Sequence, residues 1–178
     1  MQTRTLVRGA LLTAAALALS YLERFIPLQL IVPLPGVKPG LANLVTMFAL
    51  YALGFKQGLA ILVLRCVLGS IFGGSISGLA MSLTGGLFAY GTMALAKNTP
   101  HLSVYGVSIL GAAAHNIGQV LAAGILMGSV YTLFYLPFLL LTGLVMGLLT
   151  GTIAAFTFRA LEAAGLHPTP SDRRRDPS

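Results

Sequence analysis

VLGSIFGGSISGLAMSLTGGLFAYGTMALA, residues 67–96, contains no charged side chain. A helix crosses the hydrocarbon core of a bilayer with about 20 apolar residues. The stretch is longer than one crossing, and Gly73-Gly74-Ser75 divides it into the end of one span and the whole of the next. A membrane β-barrel would need segments of about ten residues alternating apolar with polar. This run does not alternate, so the spanning elements are helices. Working outward, the same reading places spans at 5–22, 41–54, 57–72, 76–96, 104–127 and 133–161. Gly54-Phe55-Lys56 makes a tight turn, Lys97-Asn98-Thr99-Pro100 a loop, and Gly128-Ser129 the start of the last connection. The expectation is an all-α integral membrane protein, a bundle of about six transmembrane helices. Residues 1–165 form one transmembrane domain, and 166–178 a polar cytoplasmic tail whose composition predicts disorder.

Composition agrees. Of 178 residues 56% are hydrophobic and 8% charged, against about 25% charged in a soluble domain. The net charge of +7 does not describe a nucleic-acid surface, because the basic residues stand singly at segment ends. Arg173 to Arg175 form the only basic run, in the tail, where it serves as a topology anchor or an anionic-lipid contact. With the N-terminus inside, Arg4, Arg8, Lys56, Lys97, Arg159, Arg173, Arg174 and Arg175 are cytoplasmic. Arg24 and Lys38 lie outside and Arg65 within a span, which accounts for all eleven Lys and Arg. That asymmetry predicts N-in, C-in with an even number of spans; the expected location of this multi-pass protein is the plasma membrane. Arg4 and Arg8 before an apolar stretch also suit a signal peptide, but its removal would leave an odd number of spans and a less consistent charge distribution. A single cysteine, Cys66, allows no internal disulfide or cysteine-based metal site and reads as a small buried residue.

Segment 25–40 is apolar yet holds Pro27, Pro33, Pro35 and Pro39, so it cannot be one regular helix. Irregular backbone at membrane depth survives only inside protein or against a wet cavity. The segment is therefore an outer loop or a lid folded into the mouth of a site. Small residues recur every fourth position at Ala10, Ala14 and Ala18 and at Gly143, Gly147 and Gly151, and Gly69 and Gly73 end the third span. Such faces let helices approach closely in lipid. For the glycines this reads as internal packing. For the alanine stripe internal packing and partner docking both stand.

Polar residues within spans are costly and tend to mark function. Arg65 lies midway along the third span. Glu23 is the only acid between Met1 and Leu161. Arg65 therefore snorkels, pairs with Glu23, or faces an anionic ligand. His115 and Gln119 share a helix face, with Asn116 about 100° round from His115. The three line a pocket or form an interhelical hydrogen-bond network. Lys38 and Asn43 flank Pro39-Gly40 where the second span begins. A helix start favours an anion there, unless Lys38 is only an exposed loop lysine. Nothing points to catalysis. No clustered carboxylates exist for a diphosphate–metal site, and Asp172 and Asp176 lie in the tail. Neither a catalytic set, a metal site nor a cofactor is expected.

Three segments carry a resemblance: Pro35-Gly-Val-Lys-Pro-Gly-Leu-Ala-Asn43, Arg65-Cys-Val-Leu-Gly-Ser70 and Ala114-His-Asn-Ile-Gly-Gln119. Together they resemble the Gx transporter family, also known as heptaprenyl diphosphate synthase component I, over about residues 22–158. The first and third motifs are specific and the second moderately so. Pro39 stands where the family has a leucine-like residue, a departure that stiffens the entry to the second span. The family is itself similar to the substrate-binding S components of energy-coupling-factor transporters. Those are six-helix bundles of similar length with both ends cytoplasmic, whose first helix docks a coupling protein through an alanine-xxx-alanine pattern. The resemblance implies a small molecule bound near the outer face, under the loop between the first two spans, and a docking role for Ala10, Ala14 and Ala18. It also implies a transmembrane coupling protein and ATPase subunits as partners, since the chain has no nucleotide-binding loop of its own.

Two functions follow. The first is a substrate-capture subunit of an ATP-driven importer for a small anionic or amphipathic metabolite. Lys38 and Arg65 would neutralise its charge, and Asn43, His115, Asn116 and Gln119 would orient it. The second is a non-catalytic accessory subunit of a heptaprenyl or polyprenyl diphosphate synthase. It rests on the family name alone, because no carboxylate-rich prenyl-transfer motif is present. The chain is not itself expected to be an enzyme, and its expected partners are a small molecule, lipids and these subunits, not nucleic acid.

Overall fold

The computed structural model describes residues 2–26, 38, 40–73 and 76–164. Six helices carry the fold: α1 Gln2–Leu22, α2 Asn43–Ala52, α3 Phe55–Gly73, α4 Ile76–Ala96, α5 Val104–Met127 and α6 Leu136–Ala163. Among the described residues there is no strand. Most of the proline-bearing segment, the Gly74-Ser75 break and the tail lie outside the described residues.

Local chemistry fixes the boundaries. Ser103 caps α5, its hydroxyl accepting the Gly106 N–H at 3.3 Å. Gly128 ends α5 in the left-handed region at φ 59°, where a residue with a Cβ is disfavoured. The sixth span begins later than its apolar run. A 3-10 turn, Val130–Tyr135, precedes α6, with Ser129 accepting from the Tyr131 N–H, and α6 has its proline in the first turn.

Among the described residues, four segments are long and apolar enough to cross a bilayer alone: α3, α4, α5 and Val130–Ala163. The apolar part of α1, Leu6–Leu22, is shorter, and α2 has 10 residues. At 1.5 Å per residue, α2 spans about 15 Å, half of the hydrocarbon thickness of about 30 Å. The expected second span is thus a half-length helix. The large side chains on the outside suit lipid and not water: Ile76 is 87% exposed, Ile125 83% and Leu95 79%.

Helices α4, α5 and α6 pack backbone to backbone. A Cβ on Gly118 would stand 2.9 Å from the Gly85 Cα, and one on Gly147 2.7 Å from the Ile109 Cα. The packing reading of Gly143, Gly147 and Gly151 holds for this reason. A hydrogen bond of 2.8 Å between the Ser108 and Thr150 hydroxyls also joins α5 to α6. The α2–α3 hairpin is pinned to α4 through polar contacts. Tyr90 donates to the Phe55 carbonyl at 2.8 Å, and Lys97 Nζ to the Leu50 carbonyl at 3.0 Å while lying over the Tyr51 ring.

The interior is layered. One apolar cluster, with Met47, Leu50, Leu62, Tyr90, Met93 and Phe158, fills the end where α2 meets α3. Another, with Met81, Val120, Ala123 and Leu139, fills the end where α5 meets α6, with Ile26 and Tyr135 against it. Asn43, Arg65, His115 and Gln119 lie between the two.

Candidate functional site

This polar layer takes one residue or pair from each of several helices, all at one depth. Asn43 opens α2 and Arg65 lies ten residues into α3. Both therefore stand about 15 Å along their helices from the α2–α3 turn. His115 is eleven residues into α5, about 16 Å from its start. Arg65 is 5% exposed, His115 4% and Gln119 0%.

Arg65 does not snorkel, because its guanidinium is enclosed. Its Nη2 donates to Asn43 Oδ1 at 3.0 Å, and its Nη1 reaches Ser20 Oγ on α1 at 3.4 Å. Glu23, in the 3-10 turn that continues α1, is also buried. Its Oε1 accepts the Ala42 N–H at 3.1 Å, at the start of α2. The anion expected at that helix start is thus supplied by the chain itself.

The chain returns over the layer at Gly40, whose φ of 86° favours glycine. A Cβ there would also lie 3.0 Å from Asn43 Nδ2 and 3.3 Å from the His115 ring. Gln119, with its amide turned to satisfy its neighbours, accepts from His115 Nε2 at 3.2 Å and from the Lys38 N–H at 3.3 Å, and donates to the Lys38 carbonyl at 3.3 Å. Lys38 is half-buried. The floor is the Gly85-Gly86 pair of α4. A Cβ on Gly85 would stand 3.0 Å from His115 Cε1, and one on Gly86 3.5 Å from Arg65 Nη2.

Three buried polar atoms of this layer lack a hydrogen-bond partner: Asn43 Nδ2, Arg65 Nε and His115 Nδ1. Buried polar groups are nearly always paired, so orphans call for a ligand, an ion or water. With Nε2–H donating to Gln119, Nδ1 of His115 is an acceptor. The layer therefore leaves two donors and one acceptor unspent.

The structure brings Lys38, Asn43, Arg65, His115 and Gln119 together. Asn116 turns away: its Nδ2 donates to the Leu139 carbonyl on α6, beside Gly143. It makes the interhelical tie, not a wall of this layer. Ala10, Ala14 and Ala18 are all exposed along α1, while Thr13 and Ala16 turn inward. Sequence reasoning treated Glu23 only as an ion-pair partner and missed Ser20 and the Gly85-Gly86 pair. The signal for Glu23 was its solitude in so long an apolar chain. Paired glycines facing an arginine and a histidine become a signal only once the helices are assembled.

A family model described as heptaprenyl diphosphate synthase component I matches residues 12–157. No curated protein and no solved structure matches the chain.

Proposed function

This chain belongs to the heptaprenyl diphosphate synthase component I family, and on that premise we propose that it is a membrane-embedded binding subunit without a catalytic site of its own. The first reading is an S-component-like subunit that captures a small metabolite for an ATP-driven importer of the energy-coupling-factor type. The observation that carries it is the polar layer. Side chains from α2, α3 and α5 converge at mid-depth of a six-helix bundle and leave buried donors and an acceptor unpaired. Polar groups in that position are the mark of a substrate site. Asn43, Arg65 and Lys38 hold the ligand's charged end, and His115 and Gln119 fix its orientation. The exposed Ala10, Ala14 and Ala18 stripe supports a docking face for a transmembrane coupling protein, because small side chains let a partner helix approach closely. ATPase subunits bound to that partner would drive reorientation of the bundle in the plasma membrane, with both chain ends cytoplasmic.

The family's name favours a second reading, in which the partner is a soluble component of a polyprenyl diphosphate synthase. In that arrangement the partner does the chemistry and this chain supplies a membrane seat.

A mild-detergent pull-down of the tagged protein from its native membrane, with mass spectrometry, separates the two. The first reading expects a coupling protein and ATPase subunits, lost from the Ala14→Leu variant while its fold and ligand binding persist. A prenyl synthase recovered in their place overturns it. Equal loss of fold, ligand and partner in Ala14→Leu removes the docking role.

A further inference from the structure

We infer that α1 is a lateral gate of the polar layer and that Ser20 and Glu23 are its latch. The inference rests on the reading of this layer as a ligand site. The layer is closed as it stands. Asn43, Arg65, His115 and Gln119 are all buried, yet three of their polar atoms have no partner. A ligand that pairs those atoms has to enter past one of the elements around them, and the helices are not held equally tightly. Helices α4, α5 and α6 meet backbone to backbone, where an added Cβ would stand 2.9 Å from a neighbour at Gly118 and 2.7 Å at Gly147. Helix α1 meets α3 more loosely. A Cβ on Gly69 would lie 3.6 Å from Leu17, an ordinary contact, and one on Gly9 would meet nothing within 4 Å. Among the described helices α1 packs only against α2 and α3. An open groove of about 220 Å³, bounded by Leu12 of α1, Phe48 of α2 and Ala154 of α6, separates it from α6. The side chains that α1 buries, Thr13 and Ala16, are small. In lipid no hydrophobic force draws helices together, so packing and hydrogen bonds decide how firmly each is held. Elements with few buried contacts open at the lowest cost, which makes α1 the first to leave.

The fastening of α1 is polar and lies in the layer itself. Ser20 Oγ accepts from Arg65 Nη1 at 3.4 Å, and Glu23 Oε1, in the turn that continues α1, accepts the Ala42 N–H at 3.1 Å. Both ties lead to Asn43, which follows Ala42 in the chain and accepts from Arg65 Nη2 at 3.0 Å. Release of the two bonds frees the C-terminal end of α1 and uncovers the Arg65 guanidinium. A ligand drawing on Arg65 competes with Ser20 for it, so ligand entry and release of α1 favour one another. The face of α1 that carries Ala10, Ala14 and Ala18 points outward, and a partner helix seated there would act on the same gate.

Single cysteines read the gate. Cys66, the only cysteine and 4% exposed, reacts with N-ethylmaleimide when the core around it opens. In a Cys66→Ala background, Ala16→Cys puts the thiol on the inner face of α1, and Thr13→Cys does so should the first fail to fold. Asn43→Cys puts it in the layer. Each rate is measured in mild detergent and divided by the rate of the same thiol in the unfolded chain. Positions 16 and 43 should react at least about tenfold faster than Cys66. Gly118→Ala strains the α4–α5 contact and leaves the latch alone, so it should speed Cys66 and not positions 16 and 43. Ser20→Ala with Glu23→Ala should speed positions 16 and 43 by about tenfold or more, and Ser20→Ala alone by less. Equal acceleration of position 16 and Cys66 by Gly118→Ala would mean that α1 opens only with the whole bundle, and overturns the gate. A fast position 16 beside a slow position 43 overturns it too, because α1 then moves without uncovering the layer. An unchanged position 16 in the Ser20→Ala, Glu23→Ala protein overturns the latch. None of these rates needs a ligand, so a pull-down that retains no small molecule counts against the site reading and leaves the movement of α1 measured.

Discussion

Gly118→Ala tests whether the close approach of α4 and α5 sets the geometry of the polar layer. A Cβ at position 118 would stand 2.9 Å from the Gly85 Cα, 2.9 Å from the Thr84 carbonyl oxygen and 3.1 Å from the Gly85 nitrogen. All three are backbone atoms, so no rotamer change relieves the contact. Carbon atoms rest at about 3.5–4.0 Å, which requires the helices to part by roughly 0.5–1 Å. Overpacking of this kind costs about 1–3 kcal/mol. For a chain of this size each kcal/mol moves the melting temperature by about 2–4 °C, so the midpoint should fall by about 2–12 °C. Gly91→Ala, on α4, is the control. A Cβ there meets nothing within 4 Å, and alanine favours a helix over glycine by about 1 kcal/mol, so its midpoint should hold or rise. Thermal unfolding followed at Cys66 compares the two. Gln119 follows Gly118 and His115 stands three residues before it, so the same variant should also shift the geometry of the polar layer. A Gly118→Ala protein that unfolds at or above the Gly91→Ala midpoint would refute the packing argument.

Glu23→Ala removes both the acceptor of the Ala42 N–H and the only carboxylate facing Arg65, and should cost about 3–5 kcal/mol. Glu23→Gln keeps an acceptor and should lose less, so equal midpoints for the two variants would show that the hydrogen bond to Ala42 contributes nothing. The charge asymmetry predicts that residue 38 lies on the outer side. Lys38→Cys, made in a Cys66→Ala background, is expected to react with a membrane-impermeant thiol reagent added to intact cells, and reaction only after permeabilisation would reverse the topology.

Much of the fold was legible in local sequence. Every helix matches a predicted apolar run, because burial in lipid demands hydrocarbon over a fixed length and the breaks at 54, 97–100 and 128 are written in glycine, proline and polar residues. Several boundaries shifted by two or three residues. The expected span 41–54 proved to be a helix of 10 residues, since hydropathy measures apolarity and cannot tell a half-length helix from its apolar approach. The start of α6 moved from 133 to Leu136, because the polar contacts of Ser129 draw Val130–Tyr135 into a tighter turn.

The site divides in the same way. Helical periodicity put His115 and Gln119 on one face and Asn116 on another, and the solitude of Arg65 and Glu23 singled them out. Periodicity gives a side chain's angle about its own helix axis. It is silent on which neighbour that face meets, so Asn116 and His115 had equal claims until α6 was seen to take the first and the Gly40 turn to cover the second. The sequence by itself determined a helical membrane bundle with a handful of polar residues in it. Only the tertiary structure decided that residues 23, 43, 65, 115 and 119 share one layer and that the alanine stripe faces outward, because those facts depend on how helices pack against one another.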